Sequence, residues 1–199
     1  PLDATVVCIG LNSSMEGEEV GEADANAKSD RGSTALPGGD LELLKKARAG
    51  IGRKPLVAVC FGGSPLDLRD VNEIADATIL AWYPGEEGGT AIGKAIFGDI
   101  NPAGRLPVTF PLKGSDIPAM ENYALEGRTY LYSEKQPLYP FGYGLSYTTF
   151  DYSDIAVRRT ATGVDVSCVL ANTGRYAGDE VVQLYINDID SSIVTPGIT

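Results

Sequence analysis

The chain has 199 residues, 43% hydrophobic and 22% charged, a balance that fills one sizeable domain or one and a half small ones. Its net charge of −11 argues against nucleic acid as a partner, and no apolar run approaches the ~20 residues that cross a bilayer, so no membrane contact is expected. A His count of 0 excludes Ser-His-Asp and Cys-His dyads, His-ligated zinc and an imidazole base, which leaves carboxylates as the leading proton-transfer groups.

The first 110 residues alternate strand and helix signals, the pattern of an α/β domain with a largely parallel sheet flanked by helices. "ATVVCIG" (4–10), "PLVAVCFGG" (55–63) and "ATILAWY" (77–83) read as strands, the first two buried on both faces. The acidic run "MEGEE" follows the first strand and a turn-like "LNSS", placing Glu16, Glu18 and Glu19 within one loop. Between the first two strands, Leu41, Leu44 and Ala47 repeat at helical spacing, and Gly50 is expected to end that helix. After the third strand, Ala91, Ile92, Ala95 and Ile96 mark one face of a further helix.

Residues 111–150 lose this periodicity, gather most of the Tyr residues, and read as a connector packed over a surface. Beyond Phe150 the alternation becomes two-fold in "DYSDIAVRRT", "GVDVSCVLANTG" and "GDEVVQLYIND". These predict three strands of an antiparallel β-sandwich, incomplete over residues 151–199 because such a sandwich needs about seven strands. The chain begins at Pro1 without a Met and reads as a piece of something longer or a processed form.

Four features compete for a functional role. "GGTAIGKA" (88–95) fits the start of a phosphate loop, but Ala95 stands where the Mg²⁺-binding hydroxyl is needed, and its helical pattern runs through the supposed loop. "CFGGSP" (60–65) offers backbone N–H groups at a strand end, where α/β sheets bind ligands; a plain turn explains it equally well. The tyrosines suit the apolar faces of sugars, yet tacking a connector in place is the simpler role for most of them. Cys8, Cys60 and Cys168, far apart in strand-like runs, read as buried free thiols. "MEGEE" is either a solvated loop or an acid–base device, since neighbouring carboxylates raise one another's pKa and such carboxyls serve glycoside hydrolysis.

Several stretches together resemble glycoside hydrolase family 3, which includes β-glucosidases and β-xylosidases. They are "GLNSSMEGEE", "DRGSTALPGG", "AWYPGEEGGTAIGKAIFGDINPAGRLPVTFP", "GRTYLY" and "PLYPFGYGLSYTTFDYS". "NTGRYAGDEVVQLYI" is similar to the start of the family's fibronectin type III-like domain. The resemblance implies an α/β sandwich domain over 1–110, the connector over 111–150, and an incomplete fibronectin type III-like domain over 151–199. It further implies a retaining, exo-acting β-glycosidase whose Asp nucleophile lies on a TIM-like barrel outside this chain, so that the chain alone is inactive. The substrate is then an oligosaccharide or β-glycoside, and no cofactor or metal is called for.

In family motifs of the type E-G-E-G-(aromatic)-D-R the acid/base is the second Glu, which corresponds to Glu18. Glu16 and Glu19 then bind substrate or tune its pKa. Here "EVGEADANAKS" intervenes before Asp30 and Arg31, and this longer loop leaves Glu16 and Glu19 open as alternative donors. A non-catalytic carbohydrate-binding module and a nucleotide-binding α/β domain are the rival readings.

Overall fold

A computed structural model describes residues 2–16, 33–119, 121–187 and 189–190. Two compact units account for the described residues. The first comprises the stretch up to Gly88 and Pro107–Phe141, with the residues from Asn187 on; the second comprises Gly89–Leu106 and Gly142–Ile186.

The first unit is built on a parallel sheet of β1 (Thr5–Gly10), β2 (Leu56–Phe61) and β3 (Ala77–Trp82), in the order β1-β2-β3. Val6 pairs with Val57, and Val59 with Ile79, so the three expected strands share one sheet. A one-turn helix α1 (Ser13–Glu16) follows β1, and α2 (Asp40–Ile51) leads into β2. Helix α2 packs on β1 and β2 with Leu44 wholly buried, while α3 (Arg69–Ile74) packs on α2 and β3 with Val71 wholly buried.

Three local expectations need correction. Helix α2 runs through Gly50 to Ile51 and stops at Gly52, whose φ of 62° is the left-handed conformation that glycine takes without a Cβ penalty. Strand β2 is buried as expected at Leu56, Ala58, Val59 and Cys60, but β1 alternates: Val7 and Ile9 are buried, Val6 and Cys8 exposed. A strand at the sheet edge, covered on one face only, shows the two-residue period of its side chains. Cys168 is exposed as well, so only Cys60 is a buried thiol; burial, then the nearby Asp40 and Cys8, pushes it up to about 12. It stays protonated at neutral pH and is inert as a nucleophile.

The periodicity-free stretch after Pro107 holds short elements. β4 (Phe110–Pro111) pairs antiparallel with β5 (Pro137–Tyr139), and one turn of helix, α4 (Thr129–Tyr132), lies between them in sequence. Phe110 is fully buried and meets Trp82 edge-on at 6.1 Å and 88°. A helix over Gly88–Phe97 lies in the second unit from Gly89 on, and that unit also holds β6 (Phe150–Arg159) and β7 (Val164–Asn172), an antiparallel pair. The third expected strand, within 178–187, is not a strand: a strand exists through its ladder, and these residues find none among the described residues.

Two features carry measurable consequences. Gly10 has φ 122°, and a Cβ there would sit 2.1 Å from the Phe61 carbonyl oxygen. Gly10→Ala should therefore destabilise the protein by about 1–3 kcal/mol, read as a drop in urea midpoint without a change in slope. Arg48 gathers the carbonyls of Gly52, Ile74 and Lys54 and the carboxylate of Asp76, 2.7 Å away. Asp76 also accepts the Leu56 N–H, and these bonds, the Arg48 one foremost, lower its pKa below the ordinary 3.8. The folded carboxyl thus binds its proton less readily than the unfolded one. Its contribution is present above about pH 4 and fades as pH falls through the folded value. Asp76→Asn should lower the melting temperature at pH 7 and flatten its decline below pH 4.

Candidate active site

All three strands of the parallel sheet end on the same edge, the place where ligands meet open α/β sheets. The chain leaves β1 at Gly10, whose N–H donates to Asp40 Oδ2 at 2.8 Å, and Leu11 N–H donates to the Phe61 carbonyl at 2.8 Å. Asn12 then starts α1: its carbonyl accepts the N–H groups of Met15 and Glu16, and its side-chain oxygen accepts Met15 N–H at 3.2 Å. Asn is suited to this position because its short amide satisfies amides that have no partner in a first helical turn.

Glu16 ends that turn half-buried. Its Oε1 accepts the Gly63 N–H at 2.7 Å and the Tyr83 hydroxyl at 2.8 Å, and its Oε2 accepts the Ser64 hydroxyl at 3.2 Å. Gly63 and Ser64 lie just past β2, and Tyr83 just past β3. One carboxylate therefore joins the segments that follow all three strands. A Cβ on Gly63 would stand 3.0 Å from the Tyr83 ring and 3.4 Å from Glu16 Oε1, so this approach suits glycine.

Tyr83 is aimed by an irregular strand end. The β2–β3 register slips between Cys60 and Phe61, so that Cys60 pairs with Leu80 and Phe61 with Trp82. Trp82 takes a φ of 53°, a left-handed conformation costing a bulky residue about 1–3 kcal/mol. Bulges of this sort re-aim side chains beside functional sites.

The structure brings Glu16 together with the "CFGGSP" amide, two features the sequence presents forty-odd residues apart. Glu18 and Glu19 lie outside the described residues. Sequence reasoning missed Tyr83 and the role of Ser64. The signal for Tyr83 was slight, an aromatic between a strand and a Pro-Gly turn.

The other candidates resolve differently. The phosphate-loop match, residues 88–95, lies wholly within the Gly88–Phe97 helix, so no loop precedes a helix there. Tyr130 stacks on Phe141 at 4.2 Å, and Tyr139 packs against Phe110, which ties these rings to their own segment. In the second unit the Tyr147 hydroxyl donates to the Ala95 carbonyl. The long run ending in "NPAGRLP" is structural there: Asn101 bonds Ser146 and the Tyr147 N–H, and Arg105 pairs with Glu180 at 2.7 Å, both nearly buried. A cavity of about 360 Å³ opens among Pro107, Val108, Pro111, Tyr130, Pro137 and Phe141. It is mainly apolar, and Glu16, Gly63, Ser64 and Tyr83 do not line it.

The pattern of Glycosyl hydrolase family 3 C-terminal domain matches residues 1–147. The chain belongs to this family. A xylan 1,4-β-xylosidase of Xylanibacter ruminicola is 40% identical over 94% of the chain and 22% of its own length. A periplasmic β-glucosidase of Salmonella typhimurium is 37% identical over 89% of the chain and 25% of its own length. The chain thus spans about a quarter of the curated relatives it matches. Among solved structures, a β-glucosidase from Erythrobacter marinus superposes with a TM-score of 0.81 at 40% identity, over 98% of this chain and 26% of that one. The family 3 β-glucosidase of Bifidobacterium adolescentis gives 0.81 at 29% identity, over 98% and 29%. The expected architecture, a parallel sheet with helices followed by antiparallel strands, is the one these neighbours share.

Proposed function

We propose that the chain is a fragment of a retaining, exo-acting β-glycosidase, a β-glucosidase in the first instance and a β-xylosidase in the second. The names of the relatives support both sugars, and the 40% identity to a xylosidase keeps the second in play. Within that enzyme Glu18 is the general acid/base, and the nucleophilic Asp belongs to a TIM-like barrel of the parent protein. Residues 1–110 form the α/β domain, 111–150 the connector, and 151–199 the start of a fibronectin type III-like domain.

The observation that carries the reading is the use made of Glu16. The acidic run starts at the C-terminal edge of a parallel sheet, and the carboxylate of Glu16 already receives hydrogen bonds from Gly63, Ser64 and Tyr83. A carboxylate used as an acceptor on both oxygens is poorly placed to donate a proton. The proton-donor role then passes along the loop, and the family motif assigns it to Glu18.

The reaction runs in two steps. The barrel carboxylate attacks the anomeric carbon while the Glu18 carboxyl gives its proton to the glycosidic oxygen, and the alcohol leaves. The Glu18 carboxylate then takes a proton from water as the water oxygen attacks the same carbon and expels the nucleophile. Two displacements on one carbon retain its configuration. The two carboxyls of such a pair stand about 5–5.5 Å apart and flank the bond from opposite sides, an arrangement that neighbouring carboxyls on one loop do not provide.

Two outcomes test this. The 199-residue chain alone should hydrolyse no aryl β-glycoside, whereas a carbohydrate-binding module would bind free sugar without its parent; calorimetric titration separates the two. In the parent enzyme, Glu18→Gln should lose about 10²–10⁴-fold on glycosides with poor leaving groups and far less on activated aryl glycosides. Azide, which needs no general base, should restore turnover and give a glycosyl azide of retained configuration. Azide rescue in Glu19→Gln instead would move the donor along the loop.

A further inference from the structure

We propose that Glu16 is a positioning residue for the acid/base group: its carboxylate buckles the root of the acidic loop to the ends of β2 and β3. The inference rests on the reading of Glu18 as the proton donor.

Three observations lead to it. The backbone of the loop's first turn is tied to Asn12 through the N–H groups of Met15 and Glu16, so the chain is held where it leaves β1. The Glu16 side chain ties the same turn to two other strands, through Gly63, Ser64 and Tyr83. The receiving surface is shaped for it, with a glycine at 63, where a Cβ would crowd the Tyr83 ring, and a left-handed Trp82 that turns Tyr83. Glu18 is two residues further on, and two residues of chain reach at most about 7 Å. Anchoring Glu16 therefore limits how far the residue two positions on can stray from it. A general acid must meet its oxygen at hydrogen-bond distance, and misplacement by about 1 Å costs up to 10²-fold.

Such a role differs from simple charge tuning. In a glutamine at position 16 the side-chain oxygen still accepts from Gly63 and Tyr83, and its amide meets the Ser64 hydroxyl, which accepts as readily as it donates. The buckle then survives and the charge does not. A Glu16 that acted through charge would lose its effect in Glu16→Gln, and the basic limb of kcat/KM would move to lower pH, because removing a negative neighbour favours ionisation of Glu18.

The experiment uses the parent enzyme with paired substrates, a dinitrophenyl and an alkyl β-glycoside of its preferred sugar. Glu16→Ala should lower kcat on the alkyl glycoside by roughly 10–100-fold and on the dinitrophenyl glycoside by less than about threefold, with KM nearly unchanged. Tyr83→Phe should shift in the same direction by less. The double variant should lose less than the two single losses combined, because both remove one shared contact. Glu16→Gln should recover most of the alkyl activity with the basic limb unmoved. The proposal falls if Glu16→Ala loses both activities equally, loses neither, or if Glu16→Gln stays impaired with a shifted limb. In those cases azide rescue of Glu18→Gln still upholds the donor assignment. Azide rescue of Glu16→Ala itself would overturn the buckle and the assignment of Glu18 together.

Discussion

Parallel pairing of β1, β2 and β3 brings the C-terminal ends of all three strands to one edge of the sheet. The segments leaving those ends, Leu11–Glu16, Gly62–Ser64 and Tyr83, are then neighbours although far apart in sequence. The hydrogen bonds that the Glu16 carboxylate accepts from Gly63, Ser64 and Tyr83 depend on that constraint. The close approach at Gly10 serves it as well, since only a residue without a Cβ lets β1 end against the Phe61 backbone. Charge-assisted hydrogen bonds from a backbone amide and two hydroxyls are stronger than neutral ones, and they tie the chain where sheet gives way to loop.

Placing an acid/base carboxyl on such a loop divides labour in the proposed mechanism. The nucleophile must approach the anomeric carbon from one side and the proton donor must meet the leaving oxygen from the other. Two separate supports, each rigid, can set that separation more readily than one loop. The loop itself need not be rigid throughout if its root is fixed. The stretch "EVGEADANAKS" follows Glu18 in sequence and leaves the two-residue separation of Glu16 and Glu18 unchanged.

The long family-specific run does different work. Asn101 and Arg105, which make it distinctive, organise the second unit through Ser146, Tyr147 and Glu180. Arg105 and Glu180 are nearly buried, and removing either partner would strand the other's charge away from water. A motif can thus identify a family while holding a scaffold together rather than touching a substrate.

The sequence pattern determined the three strands and the two long helices, because the spacing of apolar side chains, in short continuous runs or at every third and fourth position, is a local property of the chain. It also determined what chemistry is open: with no histidine, proton transfer falls to carboxylates, and the acidic run after the first strand is where they crowd. It did not determine which faces are covered. Cys8 and Val6 are apolar and exposed, and the residues expected as a third antiparallel strand have no ladder among the described residues, because coverage and pairing depend on which neighbours are present. Nor did it join Glu16 to Gly63, Ser64 and Tyr83. Those residues are separated by up to 67 positions, and only the parallel sheet, with its slipped register at Cys60 and left-handed turn at Trp82, brings their donors onto one carboxylate.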